Sequence, residues 1–254
     1  MRVPSQIDFA YPWFLTHGHL VVMAVSLAVL MLGRSRKWRR LPMAALGLVL
    51  LWSAGAFAAV QFVLNFNGRG TLPTEAFLPS GEGKVLDMGA GSGRSAIMVL
   101  EARPRATLVA LDSFSASYNS HFGTDRDGQE RLAANFKAAG VDARATIRAA
   151  DMREMPFDPA SFDAIVSAYA IDHLGSQGIE KALAEANRVL KPRGEFLMMV
   201  LSKDAWMSLT FGPLIAHGGT RAASRWTQLL ETAGFEVGEQ GRRPVTLYFL
   251  SRKR

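Results

Sequence analysis

The stretch Val85-Leu-Asp-Met-Gly-Ala-Gly-Ser-Gly-Arg-Ser95 constrains this chain more than any other. A short apolar run from Lys84 to Met88 reads as a strand. Glycines at positions 89, 91 and 93 follow it, and beyond them Ala96, Ile97, Val99 and Leu100 recur at helical spacing. Strand, glycine turn and helix, in that order, open a βαβ unit. The glycines let the backbone approach a ligand closely, and the helix start offers unpaired N–H groups. A parallel sheet flanked by helices is the expected frame.

Two details sharpen the turn. The dinucleotide fingerprint G-x-G-x-x-G requires a glycine at position 94, where this chain has Arg94. The glycines run G-x-G-x-G instead, with Asp87 two residues ahead of the first. That pattern, D-x-G-x-G-x-G, resembles motif I of the class I S-adenosylmethionine-dependent methyltransferases. The resemblance implies a sulfonium methyl donor, S-adenosyl-L-methionine, held by Asp87, Met88, Gly89, Ala90, Gly91 and Gly93.

Further landmarks of that family follow in order. Thr107–Asp112 is an apolar strand ending in an acid 25 residues after Asp87. An acid there is placed to accept hydrogen bonds from a ribose hydroxyl pair, and the resemblance gives this place to Asp112, with Ser113 beside it. Residues 129–139 read as a helix closed by Gly140. Ala145–Ala150 is a third strand, after which Asp151 and Met152 match the family's adenine-amino acceptor and ring-packing neighbour. Ser161–Ser167 is a fourth strand, with Ser167 at its cofactor end. Ala182–Leu190 is helical, and R-V-L-K-P-R-G (188–194) precedes the strand Glu195–Leu201. These strings resemble the quinone and small-molecule branch of the family. Its usual glycine is Arg193 here, a departure expected to affect only the turn. Ala222–Ala233 is a last helix, and Phe235–Val237 with Val245–Ser251 form a closing antiparallel pair. The expected fold is α/β: a doubly wound, seven-stranded, mostly parallel Rossmann-like sheet over residues 84–254, preceded by two hydrophobic helices.

Those helices occupy residues 1–65. Leu41–Val60 holds twenty residues without a charge, enough to cross a hydrocarbon core of about 30 Å. The first segment has a continuous apolar core of thirteen residues, Leu20–Leu32. With Tyr11 and Trp13 as interfacial anchors it reaches a spanning length. A membrane hairpin with helices near 11–32 and 41–64 is expected, then a Gly/Pro-rich linker at 66–83. His17 and His19 are read as headgroup-level residues, with no metal site.

The net charge of +7 maps mostly to this region. Residues 1–65 carry six Lys/Arg and one acid, five of the bases between Arg34 and Arg40, while 66–254 carry 23 bases and 21 acids. A nucleic-acid footprint would need a basic face on the sheet domain, so no nucleic-acid partner is expected. The positive-inside rule places the basic loop in the cytoplasm, which for two full crossings would leave the sheet domain outside. S-adenosylmethionine is cytoplasmic, which requires the opposite. Either the loop departs from the charge rule, or the hairpin lies in one leaflet against anionic lipid. The expectation is a bacterial inner membrane with the catalytic domain facing the cytoplasm. The chain has no cysteine, which excludes disulfides, zinc–thiolate sites and thiol nucleophiles.

Methyl transfer from a sulfonium is an in-line displacement governed by positioning, and a base is needed only when the acceptor must lose a proton. Tyr169, Asp172 and His173 lie just past the fourth strand and are the candidate catalytic group, His173 being the first choice of base and His121 and His217 the reserves. Residues 113–129, with Tyr118 and Phe122, read as a lid or a plain surface loop. The apolar stretch between Lys203 and Thr220 reads as an acceptor-pocket wall or a core-packing connection. The hairpin implies a lipophilic small-molecule or lipid acceptor and contact with membrane lipid. A non-catalytic cofactor-binding scaffold and, with less support, an NAD(P)-dependent oxidoreductase are the alternatives. The oligomeric state is not legible.

Overall fold

The computed structural model describes residues 6–115, 128–212 and 220–254. Its described helices are α1 (Trp13–Ser35), α2 (Arg40–Ala59), α3 (Arg94–Ala102), α4 (Gly128–Ala139), α5 (Ser176–Val189), α6 (Ala205–Phe211) and α7 (Ala223–Thr232). The strands are β1 (Glu82–Met88), β2 (Arg105–Asp112), β3 (Ala145–Ala149), β4 (Phe162–Ala168), β5 (Leu190–Leu201), β6 (Phe235–Arg243) and β7 (Thr246–Lys253). These elements form two compact units. One contains residues 6–10, 69–202 and 220–254, and the other contains residues 11–68 and 203–212.

The first unit is built on a seven-stranded sheet of order β3-β2-β1-β4-β5-β7-β6. Strands β1 to β5 run parallel, and β7 pairs antiparallel with both β5 and β6. The mostly parallel sheet and its terminal hairpin are as expected. Apolar runs such as Val85-Leu86 and Ile165-Val166 are buried on both faces, as central parallel strands require. Trp226 from α7 joins Phe162, Phe196, Phe235 and Phe249 in one continuous core. The chain order reverses direction at the β1/β4 boundary, where open α/β sheets bind ligands beyond the carboxyl ends of their strands.

Three stretches of this unit differ from expectation. Helix α5 starts at Ser176, because Ile179, Ala182, Leu183 and Ala186 bury one 3–4-spaced face that reaches back past Gly178. Strand β5 takes in the K-P-R-G turn: Leu190 pairs with Phe162 and Glu195 with Ala164, so the intervening residues bulge. Arg193 adopts φ +60 in that bulge. Residues 69–81 are also more than a linker. Phe77 is fully buried, Arg103 Nε donates to the Phe77 carbonyl at 2.9 Å, and the Leu78 N–H donates to Glu195 Oε2 at 2.7 Å.

The second unit is the hairpin of α1 and α2, the latter continued by a π turn over Val60–Leu64. Twenty-three residues in α1 give a length of about 34 Å, enough for a hydrocarbon core. Gly33 is required at the tip: a Cβ there would fall 2.7 Å from Met43 Sδ and 2.9 Å from Trp38. Polar groups turn inward. Ser53 Oγ donates to the His19 carbonyl at 2.8 Å, and Gln61 Nε2 donates to the Thr16 carbonyl at 2.7 Å. His17 is exposed, but His19 is buried edge-on to Trp52, which departs from the headgroup reading for that residue.

Helix α6 also belongs to the hairpin unit, although its sequence follows β5. Asp204 caps it by accepting from the Met207 N–H at 2.9 Å. Trp52 Nε1 donates to the Leu209 carbonyl at 2.7 Å, and the Phe211 ring lies 6.4 Å from His19 and 6.2 Å from Phe66. This packing puts α6 with the hairpin and not in the core of the sheet, and residues 213–219 of the same stretch lie outside the described residues. In the other direction, residues 6–10 leave the expected hairpin and join the sheet unit.

Candidate functional site

The site begins where β1 ends. Asp87 is fully buried between Ala110 of β2 and Val166 of β4, and it accepts a 2.7 Å hydrogen bond from Ser95 Oγ in α3. Burial pushes its carboxyl up to about 7, with a smaller contribution from nearby Asp112, while the Ser95 bond opposes the rise. Met88, also buried, is followed by the turn. The N–H groups of Gly89 and Ala90 both donate to the Leu111 carbonyl, at 2.9 and 3.0 Å.

The glycines are required by space as well as by conformation. At Gly89 (φ +84) a Cβ would sit 2.3 Å from the Ala170 Cβ and 2.9 Å from Met152 Cε. At Gly93 (φ +90), the cap of α3, a Cβ would meet Leu132 Cδ1 at 2.4 Å. Gly91 (φ +51) turns its N–H toward the next strand and donates to Asp112 Oδ2 at 2.9 Å. The first glycine motif and the acid of β2 are thus joined directly. Asp112 Oδ1 accepts from the Phe114 N–H at 2.9 Å, and a carboxylate retains lone pairs for further donors. Ser113 is exposed beside it.

Other expected cofactor residues are placed with different roles in hand. Met152 reaches the glycine turn, as its approach to Gly89 shows. Asp151 is paired with Arg153, whose Nε lies 2.9 Å from Oδ1 and 3.0 Å from Oδ2. Hydrogen bonding to Arg153 holds the Asp151 carboxyl below its ordinary value. Ser167 is buried and donates to the Met88 carbonyl at 2.7 Å, tying β4 to β1.

Two members of the candidate catalytic group, Tyr169 and Asp172, are tied to the same rung of the sheet, where Leu201 pairs with Thr246. Tyr169 has φ +53, and its hydroxyl shares a 2.6 Å hydrogen bond with Thr246 Oγ1 of β7. Asp172 is buried and accepts from the Leu201 N–H at 3.0 Å, which fastens the end of β4 to the end of β5. His173 is exposed next to it. Tyr118, His121, Phe122 and His217 lie outside the described residues, as does most of the proposed lid.

The structure adds residues that no sequence pattern singles out. Asn135 of α4 donates through Nδ2 to the Ser92 carbonyl at 2.8 Å and to the Asp8 carbonyl at 2.7 Å, and accepts from the Asp8 N–H at 2.9 Å. Ser92 Oγ donates to the Phe9 carbonyl at 2.8 Å. Residues 8–9 are thereby pinned onto the glycine turn from the far end of the chain. Only a spatial neighbour across 43 residues links Asn135 to Ser92, so local periodicity carries no trace of it.

A close backbone turn lined by glycines, an acid at the end of β2 and a packing methionine fit an adenosine-bearing donor. Comparison with known proteins agrees. Residues 85–194 match the family model described as a methyltransferase domain. The chain is 34% identical over 159 residues to the ubiquinone/menaquinone biosynthesis C-methyltransferase UbiE of Rhizobium etli, a match covering 59% of this chain and 57% of that protein. Identity to the same enzyme of Bartonella bacilliformis is 35% over 120 residues, covering 47% of this chain and 41% of the relative. The chain spans 57% of the length of the first relative and 41% of the second. In fold it is similar to the 1,6-didemethyltoxoflavin-N1-methyltransferase of Burkholderia thailandensis, solved with S-adenosylhomocysteine (TM-score 0.50, 21% identity, 68% of this chain and 71% of that one). It is also similar to the [4+2]-cyclase SpnF (TM-score 0.53, 17% identity, 70% and 78%). The sheet unit of this chain carries a match to a methyltransferase domain over residues 85–194, and its relatives and structural neighbours are S-adenosylmethionine-dependent methyltransferases in the main.

Proposed function

We propose that the protein is a membrane-associated methyltransferase that moves a methyl group from S-adenosylmethionine to a lipophilic small-molecule acceptor. The donor brings an activated methyl group, so the protein's task is alignment and exclusion of water. In this reading Gly89, Ala90, Gly91 and Gly93 shape the donor seat, with Ser92 in the same turn. Asp112 with Ser113 takes the ribose hydroxyls, Met152 packs on the base, and Asp151 meets the adenine amine once Arg153 shares it. Ser167 and Asp87 support the strands beneath.

The observation that carries the membrane part is the outward apolar face of the hairpin unit. Leu41 is 84% exposed, Leu51 70% and Phe62 85%, on helices long and apolar enough to cross a membrane. Trp206 and Leu209 of α6 are exposed on the same unit. Water does not favour that much contiguous apolar surface. The five bases of the tip are all exposed, which suits anionic headgroups. The place of the UbiE relatives in ubiquinone and menaquinone biosynthesis supports a bilayer-dissolved acceptor. The cytoplasmic location of the donor supports a catalytic unit on that side. For an acceptor that must lose a proton, His173 serves as base, while Asp172 and Tyr169 hold the turn that presents it.

Transfer of labelled methyl from S-adenosylmethionine to quinone precursors and to lipid extract would test this, with the protein in vesicles and after lipid removal. Product in the organic phase that depends on lipid is the expected result. Full activity on water-soluble acceptors without lipid would overturn the lipophilic-acceptor reading.

A further inference from the structure

Residues 8–10 and the glycine turn grip one another through a single buried amide. Asn135 of α4 is 2% exposed. Its Oδ1 accepts from the Asp8 N–H and its Nδ2 donates to the Asp8 carbonyl, at 2.9 and 2.7 Å. A partner that takes both the N–H and the carbonyl of one residue holds that backbone as a neighbouring strand would. The same Nδ2 donates to the Ser92 carbonyl at 2.8 Å, and Ser92 Oγ donates onward to the Phe9 carbonyl at 2.8 Å. Phe9 and Ala10 are buried. The Asp8 carboxylate shapes the segment: Oδ1 accepts from the Ala10 N–H at 2.9 Å, and Oδ2 lies 3.9 Å from Nε of buried Arg131. Ala10 adopts φ +60, a conformation unfavourable for alanine that only the surrounding contacts can hold.

What this clasp grips is the least restrained part of the turn. Ser92 stands between Gly91 (φ +51) and Gly93 (φ +90), and glycine loses more conformational freedom on ordering than any other residue. The chain on either side therefore does little to fix Ser92, which is fixed instead by its hydroxyl on Phe9 and its carbonyl on Asn135. A ligand that binds the ordered turn must otherwise order it itself, at the expense of affinity. The segment that supplies the order is the lead-in to the hairpin, for α1 begins at Trp13.

We propose that Asn135 and the segment Asp8–Ala10 are positioning residues for the donor, holding the glycine turn in its binding conformation. The proposal rests on the donor reading given above. Closure of the clasp and binding of the donor then favour one another. By linkage, the factor by which the closed clasp strengthens donor binding is also the factor by which bound donor tightens the clasp.

Calorimetric titration of the whole chain in detergent with S-adenosylhomocysteine, together with hydrogen exchange at the Asp8 N–H, tests this. Phe9→Ala removes the buried ring of the segment and leaves the bond between Asn135 and Ser92 in place. It is expected to weaken S-adenosylhomocysteine about 10-fold. Asn135→Leu, which keeps the shape of the side chain and removes its hydrogen bonds, should weaken it at least as much. In the unaltered protein, saturating S-adenosylhomocysteine should slow exchange of the Asp8 N–H by about the same 10-fold factor, which a merely structural contact would not show. Should Asn135→Leu not fold, Phe9→Ala and the exchange of the unaltered protein decide. Unchanged affinity in folded Phe9→Ala, or exchange at Asp8 that ignores the ligand, would overturn the clasp and leave the donor reading standing. Failure of the folded, unaltered protein to bind S-adenosylhomocysteine would overturn both.

Discussion

The two units use the same residue types in opposite ways. In the sheet unit Val85, Leu86, Ile165 and Val166 are fully buried, and charged groups such as Arg105 and Glu82 lie outside. In the hairpin unit Leu41, Leu48, Leu51 and Phe62 face outward, while Thr16, His19, Ser26 and Ser53 are buried. Water drives the first arrangement through apolar burial. The second turns polar groups inward and leaves the apolar surface to its surroundings, the arrangement expected of a helix pair in lipid under the membrane proposal above. One chain thus holds two units that distribute apolar residues oppositely, and composition averaged over the whole length conceals the difference.

Charging the outward face of the hairpin should break this contrast most strongly. Leu48→Arg with Leu51→Arg is expected to cost about 5–7 kcal/mol of insertion for a helix centre in a bilayer. The double variant should move from the carbonate-resistant membrane fraction to the soluble or aggregated one. A variant that stays in the membrane fraction would mean that this face does not meet lipid.

A smaller effect concerns the sheet unit's own buried charge. Burial pushes the Asp87 carboxyl up to about 7 in the folded protein, against an ordinary value of 3.8. Between those values the folded state binds more protons than the unfolded one, so stability is greatest at low pH and declines as pH rises through about 7. From pH 5 to pH 8 the loss should be about 2–3 kcal/mol, read as a falling urea midpoint. Asp87→Asn should flatten that dependence, and a profile that remains as steep would assign it to other groups.

The smallest expected change is a gain. Arg193 adopts φ +60 in the bulge of β5, a conformation that disfavours a side chain, and glycine there should stabilise the unit by about 1 kcal/mol. The gain should appear as a higher urea midpoint with membrane association unchanged, which separates the stability of the sheet unit from the behaviour of the hairpin.

Periodicity and turn chemistry determined much of this molecule in advance. The run from Val85 to Ser95 carried its strand, its turn and its helix in contiguous residues. Sheet class, cofactor class and both apolar helices followed from patterns of that local kind. The sites where sequence reading stopped are those set by partners distant in the chain. Residues 69–81 look like a linker until Phe77 is seen beneath Arg103, and α6 looks like part of the sheet domain until Trp52 is seen holding Leu209. Asp151 and Ser167, expected to face the cofactor, direct their present hydrogen bonds to Arg153 and to the Met88 carbonyl. Local conformational preference is written residue by residue, whereas desolvation and hydrogen-bond satisfaction depend on what the folded chain brings alongside. The sequence alone therefore determined the elements and the class of the site, and tertiary structure decided which polar groups are spent on the fold and which remain to meet a ligand.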